Sequence, residues 1–103
     1  IEELHGEGLV LGVQPGEAYP AQRVRLGRGD VVFTYTDGVT DAASFDRERY
    51  GRARLHAGVL ELLTRDQSAS ATRVLDQTLW HVRAFSGLAE RADDETAVVI
   101  RMT

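Results

Sequence analysis

The spacing of hydrophobic and polar residues changes character along the chain, and each change marks an element. Residues 9–13, Leu-Val-Leu-Gly-Val, form a short apolar run that predicts a strand and stops at Gln14-Pro15-Gly16. Pro presets φ and Gly accepts positive φ, so that tripeptide is a turn signal. Residues 21–26 alternate, with Val24 and Leu26 on one side and Arg23 and Arg25 on the other. Period two predicts a half-buried strand. Gly27-Arg28-Gly29-Asp30 then turns the chain into Val31-Val32-Phe33-Thr34-Tyr35-Thr36, whose β-branched and aromatic residues suit a buried central strand. The two segments around the turn predict a β-hairpin.

Beyond Asp37-Gly38, residues 39–50 are polar and irregular and predict a loop with one helical turn. From Arg52 the period becomes helical, with Leu55, Val59, Leu62 and Leu63 at steps of three and four. Asp66-Gln67-Ser68 interrupts it. Ser68 or Ser70 can cap a second helix, whose apolar face is Ala71, Val74, Leu75, Leu79 (or Thr78), Val82 and Phe85. Gly87 is the stop, because Gly enters the left-handed conformation without penalty. Arg91-Ala92-Asp93-Asp94 is a polar turn, and Ala97-Val98-Val99-Ile100 predicts a closing strand. Strands, then two helices, then a strand define an α+β fold rather than alternating βαβ units.

Composition narrows the function. The 103 residues suit one small domain or part of a larger one. With no cysteine, the sequence excludes disulfide scaffolds, thiolate metal sites and cysteine nucleophiles. The net charge is −4, and the 12 basic residues, all Arg, are interleaved with 16 acidic ones. No basic stripe emerges to neutralise phosphates along a nucleic acid, so nucleic-acid binding is not expected. No apolar run approaches the roughly 18 residues of a membrane span, and no membrane association is expected; the expected location is cytoplasmic.

Two acidic features stand out by position. Asp37 directly follows a buried strand and precedes Gly38, while Asp93 and Asp94 directly precede the last strand. Carboxylates at strand ends can converge on a hard cation such as Mg²⁺ or Mn²⁺, which takes oxygen ligands. Gly38 would let the backbone pass close to such an ion. The same residues also suit ordinary solvated turns, and residue type does not separate the two readings. His5, His56 and His81 show no ligand spacing, and His56 and His81, on the predicted helices, are expected at the surface or core edge. Trp80 is expected to pack. Arg47, Glu48, Arg49 and Arg52 read as a solvated mixed-charge face.

Tyr35-Thr36-Asp37-Gly38-Val39-Thr40-Asp41-Ala42 resembles the Tyr-Thr-Asp-Gly-Val-Thr-Glu-Ala motif of the SpoIIE-type bacterial serine/threonine phosphatases, of the metal-dependent protein phosphatase (2C-like) superfamily. Four further segments are similar in order: Leu11-Gly12-Val13, Leu26 with Gly29-Asp30, Tyr50-Gly51 with Arg54-Leu55, and the closing Asp93-Asp94-Glu95-Thr96. The resemblance implies part of an αββα sandwich. It implies that Asp37 and Asp93, with Gly38 beside them, hold metal, that Asp41 and Asp94 stand behind the ligands or near substrate, and that Thr96 hydrogen-bonds at the strand start. No side chain of the chain is implied as a nucleophile. Relatives use two Mn²⁺ or Mg²⁺ ions per complete site, which lower the pKa of water for attack on a phosphoserine or phosphothreonine. The implied substrate is a phosphorylated protein, an anti-sigma-factor antagonist in bacterial partner-switching.

The chain departs from the pattern at Arg28, where relatives carry Pro, at Asp41, where they carry Glu, and at Ala43, where Arg is frequent. A complete domain runs to about 200 residues, with a metal-bridging Asp and a Gly-His-Gly segment in its upstream half. Residues 1–103 therefore match the C-terminal half, incomplete by itself. The alternative is a catalytically inactive phosphatase-like module that binds a partner protein. A dehalogenase-type reading of Asp37-Gly38 fails, because the nucleophilic Asp that it needs two residues earlier is Tyr35.

Overall fold

The computed structural model describes residues 1–4, 11–87, 89, 91 and 93–103. The elements are strand β1 (Val31–Tyr35), the single-turn helix α1 (Asp37–Thr40), helices α2 (Gly51–Arg65) and α3 (Ala71–Ser86), and strand β2 (Ala97–Arg101). The fold is α+β, with the helices carried between two antiparallel strands. Phe33 lies opposite Val99, and Tyr35 opposite Ala97.

The strand pair presents one face to the helices. Phe33, Tyr35 and Val99 pack against them, and Phe33 and Val59 touch both clusters of the core. One cluster is Val39, Ala42, Tyr50, Leu55 and Val82; the other is Leu62, Ala69 and Val74. Val39, Val74 and Val82 are wholly enclosed. Each contributes about 1.5–3 kcal/mol relative to an exposed Val. The opposite sheet face carries Val98 and Ile100, still 52% and 51% exposed.

Both long helices follow their apolar spacing. Leu55 and Leu62 are the buried residues of α2; Val74, Thr78 and Val82 are those of α3. Of the two serines proposed as caps, Ser70 is the one used: its Oγ accepts the Arg73 N–H at 3.1 Å. Gly87 ends α3 with φ of 59°, and its N–H donates to the Arg83 carbonyl. The turn between the helices is organised by Asp66, which accepts the Ser68 hydroxyl at 2.9 Å and pairs with Arg73 at 3.0 Å. The Ser68 hydrogen bond is the main reason the Asp66 carboxyl sits below its ordinary pKa. Arg101 of β2 donates to the carbonyls of Ala69 and Gln67, tying the sheet to this turn.

Several expectations are corrected. Residues 21–26 form no strand, and the hairpin is absent among the described residues. The turn itself is present, with the Asp30 N–H on the Gly27 carbonyl and the Gly27 N–H on Asp30 Oδ2. Alternation specifies a face but not a partner. The segment finds neither, and Val24 and Leu26 stay exposed. The turn is instead held by the closing strand, through Gly29 N–H to the Met102 carbonyl and Met102 N–H to the Asp30 carbonyl. Residues 11–13 are turns and bends, not strand, and residues 9–10 of that predicted strand lie outside the described residues. The helical turn expected within 39–50 begins earlier, at Asp37. Trp80 does not pack into the core but is 66% exposed. Among the described residues, no helix is long and apolar enough to cross a membrane.

Candidate functional site

The two acidic segments, 56 positions apart when counted from Asp37 to Asp93, meet at the end of the sheet. The pairing of β1 with β2 brings Tyr35 opposite Ala97. Thr36 then continues the pairing beyond the strands: its N–H donates to the Thr96 carbonyl at 2.9 Å. Its hydroxyl oxygen accepts the Thr96 N–H at 3.1 Å and donates to the Asp94 carbonyl at 3.4 Å. Gly38 completes the contact. A Cβ on Gly38 would overlap the Asp94 carbonyl oxygen and lie 2.7 Å from its carbon. No side chain fits there, so the glycine is what allows the two segments to close on each other.

Asp37 opens α1, and its carboxylate is exposed, as are those of Asp41, Asp93 and Asp94. The Asp37 carbonyl accepts both the Asp41 N–H at 2.7 Å and the Thr40 hydroxyl at 3.3 Å, which fixes the turn. Asp93 Oδ1 accepts the Asp94 N–H at 2.7 Å, bending the chain just before the strand. Asp41 forms an ion pair with Arg49 at 3.5 Å. Tyr35, directly before the site, has its hydroxyl pushed above the usual pKa by burial first, with the Glu3 and Asp37 carboxylates adding to it and Arg52 opposing.

A cleft of about 160 Å³ opens beside this junction. Gly38, Asp41 and Asp93 line it together with Arg83, Arg91 and Glu95. Its far wall is the last turn of α3. The loop between α1 and α2 closes another side. There, Arg54 donates to the carbonyls of Arg49 and Tyr50, pairs with Glu48 at 2.6 Å and lies 4.4 Å over the Phe85 ring. Phe85 in turn stacks on Tyr50 at 5.5 Å. Arg54 thereby ties the site loop to α3.

The donors present suit a hard cation in type, being carboxylate oxygens. Among the described residues, however, no three Asp, Glu or His side chains gather at metal-holding distance. The described residues alone therefore do not make up a complete cation site. His56 contacts Glu3 at 3.1 Å and His81 contacts Gln77 at 3.3 Å, both on helices and away from the acidic junction; His5 lies outside the described residues.

Three contributors carry no distinguishing signal in the sequence. Thr36 was only part of a motif string, and its bridging role needs the pairing across the sheet. Arg83 lies beside a core residue of an amphipathic helix, where no spacing signals a cleft. Arg91 read simply as part of a polar turn.

Comparison with known proteins identifies the family. The profile of the family described as Stage II sporulation protein E (SpoIIE) matches residues 1–103. The chain belongs to the SpoIIE family, and so to a phosphatase-type module. It is also similar to Protein IcfG of Synechocystis sp., at 37% identity over 73 residues, which cover 71% of this chain and 11% of that protein. The match thus spans about a tenth of the relative's length. No solved structure matches the chain at a significant level.

Proposed function

We propose that the chain is the C-terminal half of a metal-dependent protein serine/threonine phosphatase domain. The observation that carries this reading is the closure of Gly38 and Thr36 onto residues 94–96, which brings both acidic motifs to one end of the sheet. Asp37 and Asp93 would hold Mn²⁺ or Mg²⁺ from the two sides of that closure, next to the backbone of Gly38. Such an ion supplies, when bound, the Lewis acidity that water attack on a phosphomonoester needs near neutral pH. Asp41 and Asp94 orient the surroundings, Asp41 through its pair with Arg49 and Asp94 through its backbone contact with Thr36. The substrate would be a phosphorylated protein, an anti-sigma-factor antagonist in partner-switching.

A second reading has its own support. The described residues hold no three-ligand group, which also suits a phosphatase-like module that binds a partner without turnover. Mn²⁺-dependent hydrolysis of p-nitrophenyl phosphate by the full-length protein separates the two. The phosphatase reading expects turnover that falls at least about 100-fold in Asp37→Ala and in Asp93→Ala, the loss of several kcal/mol of transition-state stabilisation. Undetectable turnover in the wild-type protein favours the binding module, and equal rates in all three remove the ligand assignment.

A further inference from the structure

The cleft beside the acidic junction contains more positive charge than a cation site needs. Arg83 projects from the last turn of α3 and Arg91 from the segment leading to β2, and both line the same space as Asp93 and Gly38. Among the described residues, neither guanidinium is engaged in an ion pair or a side-chain hydrogen bond. The neighbouring arginines behave differently: Arg49 is paired with Asp41, and Arg54 with Glu48 and two carbonyls. Among the described side chains that line the cleft, the unengaged donors are therefore these two guanidinium groups.

We propose that Arg83 and Arg91 form a phosphate subsite, in which the two guanidinium groups hold the non-reacting phosphate oxygens of a phosphoserine or phosphothreonine side chain. This inference rests on the phosphatase reading for the identity of the substrate but not for the binding itself. A doubly charged phosphate approaching Asp37, Asp41, Asp93 and Glu95 meets like charge. Fixed positive charge lining the same cleft is what makes the approach favourable. Arg suits the task because its planar fork donates two parallel hydrogen bonds to an oxyanion and it stays charged at any physiological pH. The two come from different sides, Arg83 from a rigid helix anchored by the buried Val82 and Arg91 from the loop that carries Asp93. They can therefore orient the phosphate with its ester bond toward the acidic junction, which makes them positioning residues rather than participants in bond cleavage.

The test uses the full-length protein and inorganic phosphate. Calorimetric titration in Mg²⁺ buffer should show phosphate binding that weakens about tenfold or more in Arg83→Gln, as expected for loss of a charge-assisted hydrogen bond. Arg83→Lys should recover part of the loss, since it restores the charge but not the fork. Arg91→Gln should weaken binding in the same direction, and the double variant should bind least. Both side chains are exposed, so circular dichroism should be unchanged. With p-nitrophenyl phosphate, the variants should raise KM more than they lower kcat. Phosphate affinity within twofold of wild type in the double variant, or no phosphate binding by the wild type, overturns the subsite. Turnover with unchanged KM in Arg83→Gln overturns the subsite and leaves the phosphatase reading standing. Arg83-dependent phosphate binding without any turnover does the reverse.

Discussion

Gly38 is buried at a point where two backbones touch, and Thr36, two residues before it, supplies the hydrogen bonds that hold them together. The two residues act on one junction by different means. Gly38 leaves out the atom that would force the segments apart; Thr36 adds donor and acceptor groups that draw them in. Replacing Gly38 by Ala places a methyl group on the Asp94 carbonyl, and the backbone there has no flexible side chain to move aside. The expected cost is about 1–3 kcal/mol of stability, typical of forced overpacking, read as a lower midpoint in urea unfolding. An unchanged midpoint would mean that the 93–96 segment yields without strain. The family resemblance sets Gly38 beside a metal; the contact with Asp94 gives it a reason to be glycine that holds with or without one.

At the scale of elements, Tyr50 joins the site loop to the helices. It immediately precedes α2, is almost fully enclosed, and stacks on Phe85 of α3. Burial raises its hydroxyl pKa above the ordinary 10.0, with Arg54 opposing. The sign follows from linkage. In the unfolded chain Tyr50 ionises near its ordinary value, whereas in the folded protein it stays neutral to higher pH. Its contribution to stability is full below the unfolded pKa and is lost as pH rises from there through the folded pKa. Tyr35 is shifted in the same direction, again mainly by burial. Tyr50→Phe should therefore lose less stability than the wild type between neutral pH and the alkaline side of pH 10, the ordinary tyrosine value, in denaturant midpoints measured at each pH. Parallel curves would show that the Tyr50 hydroxyl ionises as freely folded as unfolded.

The same scale shows what the sequence could and could not reveal. Helices α2 and α3 were legible because 3.6-residue spacing and the Ser70 and Gly87 caps are local information. Strands β1 and β2 were legible as apolar β-branched runs. Their pairing with each other was not, since it joins residues far apart in the chain, as in Val32 with Ile100, 68 positions on. The period-two segment at 21–26 misled for the matching reason: local alternation carries no knowledge of what surface is available. Asp37 and Asp93 were visible as strand-end carboxylates. Thr36, Arg83 and Arg91 were invisible because their roles exist only across the sheet or across the cleft.

In the molecule as a whole, one sheet face is packed against helices and the junction at its end gathers Asp37, Gly38, Asp41, Asp93 and Asp94 from two distant stretches of chain. That junction is set beside a cleft that also carries Arg83 and Arg91, and in the proposed reading its carboxylates are part of a cation site. Membership of the SpoIIE family places a phosphatase-type module here; the shared use of Asp37 and Asp93 by one ion is the claim on which the proposed chemistry depends. Binding of Mn²⁺ to the full-length protein, followed by electron paramagnetic resonance of the free ion, tests it without requiring turnover. The account predicts that Asp37→Asn and Asp93→Asn each weaken Mn²⁺ binding by about tenfold or more, and that the double variant is little worse than either single one, because both remove ligands of the same ion. Wild-type Mn²⁺ affinity in both single variants would contradict it.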